Sequence, residues 1–350
     1  MPQNMPKVAI VILNWNGQRL LEKLLPIVVV NSQVEGVDII VADNASTDSS
    51  ITFLETKYPE VGLIKLKKNF GFAGGYNHAL KQVDADYFIL LNSDAAPEAN
   101  WLPPLITAME GNAKLGACMP KIRAYNEPDK FEYAGAAGGF IDVFGYPFCR
   151  GRILNYIEED KGQYQEPLPI FWATGAALMI RADIYSSTGG LDESFFAHME
   201  EIDLCWRIKN MGYQIMAIPQ SEVLHIGGAT LSQQNAKKTY LNFRNNLIMM
   251  VKNINAAKLI PILFIRMILD GIAGLHFLAK GEFKHFFAVL KAHFSFYKAL
   301  PQTIKKRKKL APKRTHSQHR EIYPKSIIWA FYFKQLRRFS DLKHFHLKSN

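Results

Sequence analysis

The chain has 350 residues, of which 48% are hydrophobic and 21% are charged. This composition is typical of a globular protein with one or two domains and excludes a disordered or fibrous chain. The net charge is +11, but residues 301–350 contain 14 Lys or Arg against only Glu321 and Asp341, so this segment carries +12 and the rest of the chain −1. A near-neutral body with a basic segment predicts one anionic partner, either a membrane or a nucleic acid.

The cysteines indicate a reduced, cytoplasmic compartment. Cys118, Cys149 and Cys205 are odd in number and widely spaced, and they match no metal-site pattern. The apolar run at residues 8–13 is too short for a secretory signal peptide, so we expect none.

The first third of the chain alternates between apolar runs and helix-like segments. Strands are predicted at residues 7–13, 37–43, 61–66 and 87–91. Helices are predicted at residues 18–30, after residue 48 as far as about residue 58, and at residues 73–83. Strands that alternate with helices predict an α/β fold with βαβ units and one largely parallel sheet flanked by helices.

The middle of the chain is less regular. Residues 101–169 are rich in Gly, Pro and aromatic residues and have weak periodicity, so we assign no elements there. Beyond them, strands are predicted at residues 171–180, 214–218 and 223–226, with helices at residues 200–211 and 237–252.

Two apolar segments and a basic cluster follow. Residues 259–278 are apolar but contain Arg266 and Asp270, which are four apart and predicted to pair on one helix face. Residues 282–298 place aromatic side chains opposite lysines, a pattern typical of an amphipathic helix in a membrane interface. The basic cluster at residues 305–309 favours anionic lipid. The alternative is that the helices pack on the protein body or on a second subunit.

These features predict three regions. Residues 1–255 form an α/β domain, residues 256–300 form membrane-associating helices, and residues 301–350 form a basic C-terminal tail. We assign the contact with an anionic membrane surface to residues 256–320. No module for base readout is recognisable, so we expect no nucleic-acid partner.

Two carboxylates follow predicted strands. Asp43 ends the strand at residues 37–43, and Asp94 follows the strand at residues 87–91 after Asn92 and Ser93. In open α/β sheets, ligands bind at the carboxyl ends of the strands. A carboxylate there suits a divalent cation on a diphosphate, although a plain polar turn is the alternative.

A Gly-rich stretch, Asn69-Phe70-Gly71-Phe72-Ala73-Gly74-Gly75-Tyr76-Asn77, opens a predicted helix. Such a loop lets a ligand approach the backbone and offers helix N–H groups to an anion. It matches neither a P-loop nor a dinucleotide fingerprint, and a tight turn remains the alternative.

The helix at residues 200–211 begins with Glu200, Glu201 and Asp203. At about 100° per residue, Glu200, Asp203 and Arg207 share one polar face, whereas Glu201 points into an apolar stripe. Burial in that stripe raises the pKa of a carboxyl group and makes its carboxylate a better base. We therefore single out Glu201 as the candidate base.

His225 ends a predicted apolar strand and precedes Gly227 and Gly228, which permit a ligand to approach the backbone. A lone histidine in such a place is usually structural, so this residue alone predicts no site.

Taken together, these segments resemble family 2 inverting glycosyltransferases with the GT-A fold. The matching segments cover residues 7–250 in the family's order: residues 11–17, 41–48, 69–77, 90–94, 174–176, 200–203 and 225–228. The resemblance is strongest to the rhamnosyltransferase-like branch that builds bacterial surface polysaccharides.

The resemblance implies a nucleotide-diphosphate sugar donor and a lipid-linked glycan acceptor. It also implies that the protein lies on the cytoplasmic face of the inner membrane. Asp94 occupies the position of a metal ligand for Mg²⁺ or Mn²⁺, His225 that of a further ligand, and Glu201 that of the general base. The nucleotide-sugar site implied by the family comprises Asn14, Asn16, Asp43, Asn44, Asn69, Gly71, Phe72, Asn77, Asn92, Ser93 and Gly175.

Two positions depart from the family pattern. Asn92 replaces the first Asp of the Asp-X-Asp metal motif, and Glu201 replaces the usual Asp, so Glu200 and Asp203 remain alternative bases. A non-catalytic nucleotide-sugar-binding protein and a nucleotidyltransferase of similar fold are the rival interpretations. The second would favour a Gly- and Lys-rich phosphate loop after the first strand, where this chain has Asn14-Trp15-Asn16-Gly17.

Overall fold

A computed structural model describes residues 5–227, 235–342 and 345. The strands are β1 Val8–Asn14, β2 Val37–Asp43, β3 Gly62–Lys65, β4 Tyr87–Asn92, β5 Ala95–Pro97, β6 Leu115–Ala124, β7 Gly139–Asp142, β8 Pro147–Cys149, β9 Arg152–Ile153, β10 Tyr156–Ile157, β11 Leu168–Pro169, β12 Ala177–Arg181, β13 Gln214–His225 and β14 Ile322–Tyr323. The helices are α1 Gln18–Asn31, α2 Ser50–Lys57, α3 Gly71–Leu80, α4 Leu102–Gly111, α5 Ala182–Thr188, α6 Glu200–Asn210, α7 Ala236–Asn253, α8 Ala256–Ala279, α9 Phe283–Leu310 and α10 Ile327–Tyr332.

The main sheet is mixed and has the order β11-β13-β6-β12-β4-β1-β2-β3, with β5 paired to β13. The half built from β4, β1, β2 and β3 is parallel, as the βαβ pattern predicts. Strand β12 is antiparallel to both of its neighbours, β4 and β6. The prediction of a mixed, mostly parallel sheet flanked by helices is confirmed, although a second sheet is present besides it.

Apolar side chains on both faces of the central strands form the core. β1 and β4 are buried over nearly their whole length because helices cover both faces, which explains their continuous apolar sequence. Since β4 enters the sheet beside β1, the side chains that follow both strands meet at one rim. That rim carries the candidate site.

The irregular middle of the chain builds a second, smaller sheet of order β10-β9-β8-β7-β14. Its strands are two to four residues long, so they carry no readable alternation. The last strand, β14, comes from far along the chain and pairs in parallel with β7. The C-terminal segment therefore returns to the protein body.

Helices α7, α8 and α9 pack together beside this smaller sheet. Arg266 and Asp270 pair as predicted, with 2.8 Å between Nε and Oδ1, and both side chains are buried. Arg266 also donates to the carbonyl of Phe144 at 3.0 Å, so the charged side of α8 faces the protein. Helix α9 runs through residue 300 without interruption, so the predicted boundary there falls inside a helix.

The outward side of α8 and α9 is apolar. Among the described residues, α8 is the one helix with the length and composition of a membrane span, with a mean hydropathy of 1.8 over its most apolar window. The large exposed apolar side chains of the two helices include Ile260, Phe264, Ile268, Ile272, Leu275, Phe283, Phe287, Phe294 and Tyr297.

Candidate active site

The first part of the rim is a hydrogen-bonded pair of buried side chains. Asn14 and Asp43 end neighbouring parallel strands, and Nδ2 of Asn14 donates to Oδ1 of Asp43 at 3.1 Å. The other Asp43 oxygen accepts from the backbone N–H of Ser46 at 2.9 Å. Each carboxylate oxygen has two lone pairs, so Asp43 is positioned by the protein and retains capacity for a ligand donor.

Asn16 holds the loop that follows β1 against the loop that follows β2. Its backbone N–H donates to Oγ of Ser46 at 2.9 Å, and its Oδ1 accepts from the backbone N–H of Thr47 at 2.7 Å. Asn16 has φ of 50°, a left-handed conformation that asparagine tolerates better than most residues.

An amide pair joins the Gly-rich loop to this rim. Nδ2 of Asn44 donates to Oδ1 of Asn69 at 3.1 Å, and Oδ1 of Asn44 accepts from the backbone N–H of Phe70 at 2.9 Å. Gly71 follows with φ of +72°, and a Cβ there would lie 3.3 Å from the Phe196 ring. The loop therefore depends on glycine for both its conformation and its close contact with the chain that precedes α6.

Asn77 lies behind the rim, and both polar atoms of its side-chain amide form hydrogen bonds within the protein. Its Nδ2 donates to the carbonyl of Leu191 at 2.8 Å, and its Oδ1 accepts from the Tyr185 hydroxyl at 2.7 Å and from the Leu191 N–H at 3.0 Å. These bonds fasten α3 to the segment that leads to α6.

The carboxyl end of β4 supplies the second part of the rim. Oδ1 of Asp94 lies 2.9 Å from Nε2 of His225, and both side chains are buried. They meet because β5 and the end of β13 are antiparallel, with Ala95 opposite His225. Nδ2 of Asn92 lies 3.4 Å from the same His225 nitrogen, and Ser93 is half-buried in the turn between them.

Glu132 is a member of this cluster that the sequence did not indicate. Its Oε1 lies 3.5 Å from Nδ1 of His225, on the far side of the ring from Asp94. Burial acts to lower the pKa of His225, but hydrogen bonds and charge from Asp94 and Glu132 outweigh it and raise the pKa to about 10. Glu132 falls within residues 101–169, where no periodicity marked any position.

The acidic helix α6 begins after a loop with unusual backbone geometry. Phe196, His198 and Met199 have φ of 65°, 69° and 73°, all in the left-handed region. The side-chain amide of Asn245, in α7, donates to three carbonyl oxygens of this loop, at 3.0 Å for Phe195, 2.9 Å for Ala197 and 2.9 Å for His198. One buried amide thus holds the segment that delivers the acids.

The three acids of α6 have different surroundings. Asp203 is fully buried and pairs with Arg207, on the face that the sequence predicted them to share, at 2.9 Å, and with Lys252 at 2.8 Å. The predicted polar face of α6 is therefore an internal face packed against α7. Asp203 has cationic partners, whereas Glu200 is buried and its Oε2 has no hydrogen-bond partner within the described residues.

Glu201 is half-buried, and burial raises the pKa of its carboxyl group to about 7. Burial and the adjacent Glu201 charge raise the pKa of Glu200 as well. The predicted order of burial is wrong, because Glu201 is the least buried of the three acids, although burial still raises its pKa. A Cβ on Gly175 would lie 3.2 Å from the Phe72 ring and 3.9 Å from Cβ of Glu201. Gly175 therefore lies between the Gly-rich loop and Glu201, and its missing side chain leaves space there.

Comparison with known proteins identifies the family. The profile described as Glycosyl transferase family 2 matches residues 9–188, about half of the chain. The chain belongs to glycosyl transferase family 2. The family resemblance of the sequence is confirmed.

Relatives of this family-2 chain include two rhamnosyltransferases. It is 29% identical over 211 residues to the N-acetylglucosaminyl-diphospho-decaprenol L-rhamnosyltransferase of Mycobacterium tuberculosis, a match that covers 54% of this chain and 66% of that protein. It is 24% identical over 228 residues to Rhamnosyltransferase WbbL of Escherichia coli K12, covering 62% and 83% of the two chains. The match thus spans slightly less than two thirds of the mycobacterial relative.

Solved structures show that the fold is GT-A. GalNAc-T7 with UDP, GalNAc and Mn²⁺ aligns with a TM-score of 0.62 at 14% identity, covering 99% of this chain and 59% of that one. The mannosyltransferase PcManGT of Pyrobaculum calidifontis, in complex with GDP-Man and Mn²⁺, aligns with a TM-score of 0.51 at 14% identity, covering 89% and 87%.

The donor set at this rim fits a divalent cation that also binds phosphate. Mg²⁺ and similar ions are commonly held by one or two protein ligands, with the remaining positions filled by substrate phosphates and water. Asp94 would supply one such ligand, and His225 would supply a second only after losing the proton that its raised pKa assigns to it. Within the described residues, no group of three or more His, Cys, Asp or Glu is arranged to hold a metal ion by itself. Gly228, the last residue of the matching segment, lies outside the described residues.

Proposed function

We propose that the chain is an inverting transferase that moves a sugar from a nucleotide-diphosphate donor to a glycan acceptor. The observation that carries the proposal is that Gly175 separates the Gly-rich loop from a carboxylate, Glu201, whose pKa is raised to about 7. Rhamnose is the best single choice of sugar, supported by the similarity to two rhamnosyltransferases.

The side chains divide the chemistry between two sides of the crevice. Asp43 and the loops at Asn16 and Asn69 bind the nucleotide. Asp94, together with His225 once it is deprotonated, would hold a divalent cation, which would supply positive charge for the leaving diphosphate. Glu201 accepts the proton of the acceptor hydroxyl. The oxygen then attacks the anomeric carbon from the face opposite the diphosphate, so the C–O bond to the diphosphate breaks and the configuration inverts.

Glu201 is the preferred base because the other two acids have competing roles. Asp203 is committed to Arg207 and Lys252, and Glu200 is buried more deeply than Glu201. A group that exchanges protons with an acceptor must be reachable from the crevice, and Glu201 adjoins Gly175 there.

We further propose that the acceptor is lipid-linked and that the enzyme lies on the cytoplasmic face of the inner membrane, in surface-polysaccharide synthesis. The outward side of α8 and α9 is apolar, and the basic cluster at residues 305–309 ends α9. Because Arg266 and Asp270 face the protein body, α8 is better suited to lie in the interface than to cross the bilayer.

The test is turnover with a panel of nucleotide sugars, including dTDP-, UDP- and GDP-linked donors, followed by the Glu201→Gln variant with the best donor. We expect donor binding, measured by calorimetry, to be kept and turnover to fall by about 10²–10⁴-fold. Glu200→Gln and Asp203→Asn are the matched comparisons for the alternative bases. Full turnover in Glu201→Gln contradicts the assignment of Glu201 as the base. If the wild-type protein binds a donor but transfers no sugar, the result supports the non-catalytic alternative.

A further inference from the structure

The C-terminal helix α10 presents an aromatic surface that the sequence assignments left out. Trp329 and Tyr332 in α10 and Phe333 directly after it are 53%, 57% and 68% exposed. The Trp329 and Phe333 rings stack on each other at 4.1 Å rather than on the protein. Three adjacent exposed aromatic side chains are unusual on a soluble surface and mark an interaction site.

The helix beneath this surface is firmly attached to the protein. Ile327, Ala330 and Phe331 are buried, and the backbone N–H of Ile327 donates to Oδ2 of Asp142 at 2.9 Å. Strand β14, four residues earlier, is paired with β7. The exposed aromatics therefore project from a fixed base.

The charged side chains next to the aromatics along the chain are basic. Lys325, Lys334, Arg337 and Arg338 are exposed, and residues 322–340 contain no Asp or Glu. The next acid, Asp341, accepts from the backbone N–H groups of Arg337 and Arg338. Trp and Tyr are the side chains enriched where a bilayer meets water, and basic side chains beside them attract anionic headgroups. This combination suits a lipid surface better than a second protein copy, which would place like charges together.

The position of α10 connects it with α8. Asp142, which accepts from the first N–H of α10, also accepts from the backbone N–H of Tyr146 at 2.9 Å. The Tyr146 ring lies 3.9 Å from the Arg266 guanidinium of α8, and its hydroxyl donates to Asp270 at 3.4 Å. One short turn, residues 142–146, thus supports both α10 and α8.

We propose that α10 is a second membrane-contacting element, in which Trp329, Tyr332 and Phe333 enter the headgroup region of the same anionic bilayer that the apolar side of α8 and α9 contacts. This inference rests on the proposed membrane association of the enzyme. With α8 and α9 alone, one elongated surface would touch the bilayer. A second contact from α10 fixes the orientation of the catalytic domain relative to the lipid.

The experiment uses the full chain and vesicles of phosphatidylglycerol and phosphatidylcholine containing brominated acyl chains. Trp329 lies in α10, and the remaining tryptophans are Trp15, Trp101, Trp172 and Trp206. We expect bromolipid to quench wild-type fluorescence and Trp329→Phe, which keeps an aromatic ring, to lose most of that quenching while still binding.

A second arm measures affinity by vesicle co-sedimentation. The Trp329→Ser/Phe333→Ser double variant should bind at least about tenfold more weakly, since it removes both stacked aromatic rings from the lipid contact. Val30→Ser, at an exposed apolar position of α1, is the matched control and should bind as wild type.

The outcomes separate this inference from the wider proposal. If wild type binds but neither its quenching nor its affinity depends on Trp329 and Phe333, the role of α10 is wrong while membrane association stands. If wild type does not bind vesicles at all, both fail. If the aromatics instead control self-association in the absence of lipid, measured by light scattering, the surface joins protein copies and the inference is overturned.

Discussion

The loop before α6 offers a sharp test of how the catalytic helix is positioned. We predict that Asn245→Ala lowers kcat far more than it changes the KM for the donor. The Asn245 amide makes three hydrogen bonds to the loop, at 2.9–3.0 Å. Its loss leaves three carbonyl oxygens without their partner.

The magnitude follows from two opposing contributions. The Asn245 amide has two N–H groups shared among the three carbonyl oxygens, which at about 1 kcal/mol for each donor stabilise the loop by about 2 kcal/mol. Three non-glycine residues in the left-handed region, Phe196, His198 and Met199, cost at least about 1 kcal/mol each. The two are of similar size, so without the amide the loop should populate other conformations and displace Glu200 and Glu201. A displacement of about 1 Å is enough to slow catalysis by about 100-fold.

The assay is steady-state kinetics with the donor varied, together with calorimetric binding of the nucleotide and the melting temperature. Nucleotide affinity should stay within about threefold of wild type, because the rim at Asn14 and Asp43 has no contact with Asn245. Asn242→Ala, three residues earlier on α7, is the matched control. If Asn245→Ala lowers the melting temperature but keeps kcat, the amide stabilises the fold without positioning the base, and the reasoning is refuted.

Two further predictions concern protonation and metal binding. Because burial raises the pKa of Glu201 to about 7 and the base acts as a carboxylate, kcat/KM should rise with pH up to about 7 and then level off; a profile that is already flat above pH 5 contradicts this. Asp94→Ala should weaken Mn²⁺ binding in the presence of nucleoside diphosphate by at least about tenfold, measured by electron paramagnetic resonance of the free ion. Unchanged binding removes Asp94 from the ligand set, and Asp38→Ala on β2 is the control.

The sequence predicted the parallel half of the sheet because each of its strands is a continuous apolar run between helices. Asp43 and Asp94 were placed at one rim by the same logic, since parallel strands end on the same side. The Arg266–Asp270 pair was likewise predictable, because a spacing of four is local to one helix. In each case the information lies within a few residues along the chain.

What the sequence did not predict depends on contacts between distant residues. Strands of two to four residues, such as β9 and β14, are defined by pairing partners rather than by alternation. Glu132 reaches His225 through a chain reversal in the aperiodic segment. Asn245 is one of several asparagines on α7, and its role depends on the loop at residues 195–199 being folded beneath it.

The C-terminal helices are also tied to the acidic helix by charge, which decides how membrane association should be tested. Lys306 of α9 and Lys252 of α7 both contact Asp192, at 2.5 Å each, and Lys252 also contacts Asp203. Removing α9 would take one cation from Asp192 and expose the apolar side of α7. A chain shortened before α8 would therefore lose activity through damage to α6 as readily as through loss of lipid contact. Point substitutions on outward side chains leave this network intact, so only they isolate the contribution of the membrane surface.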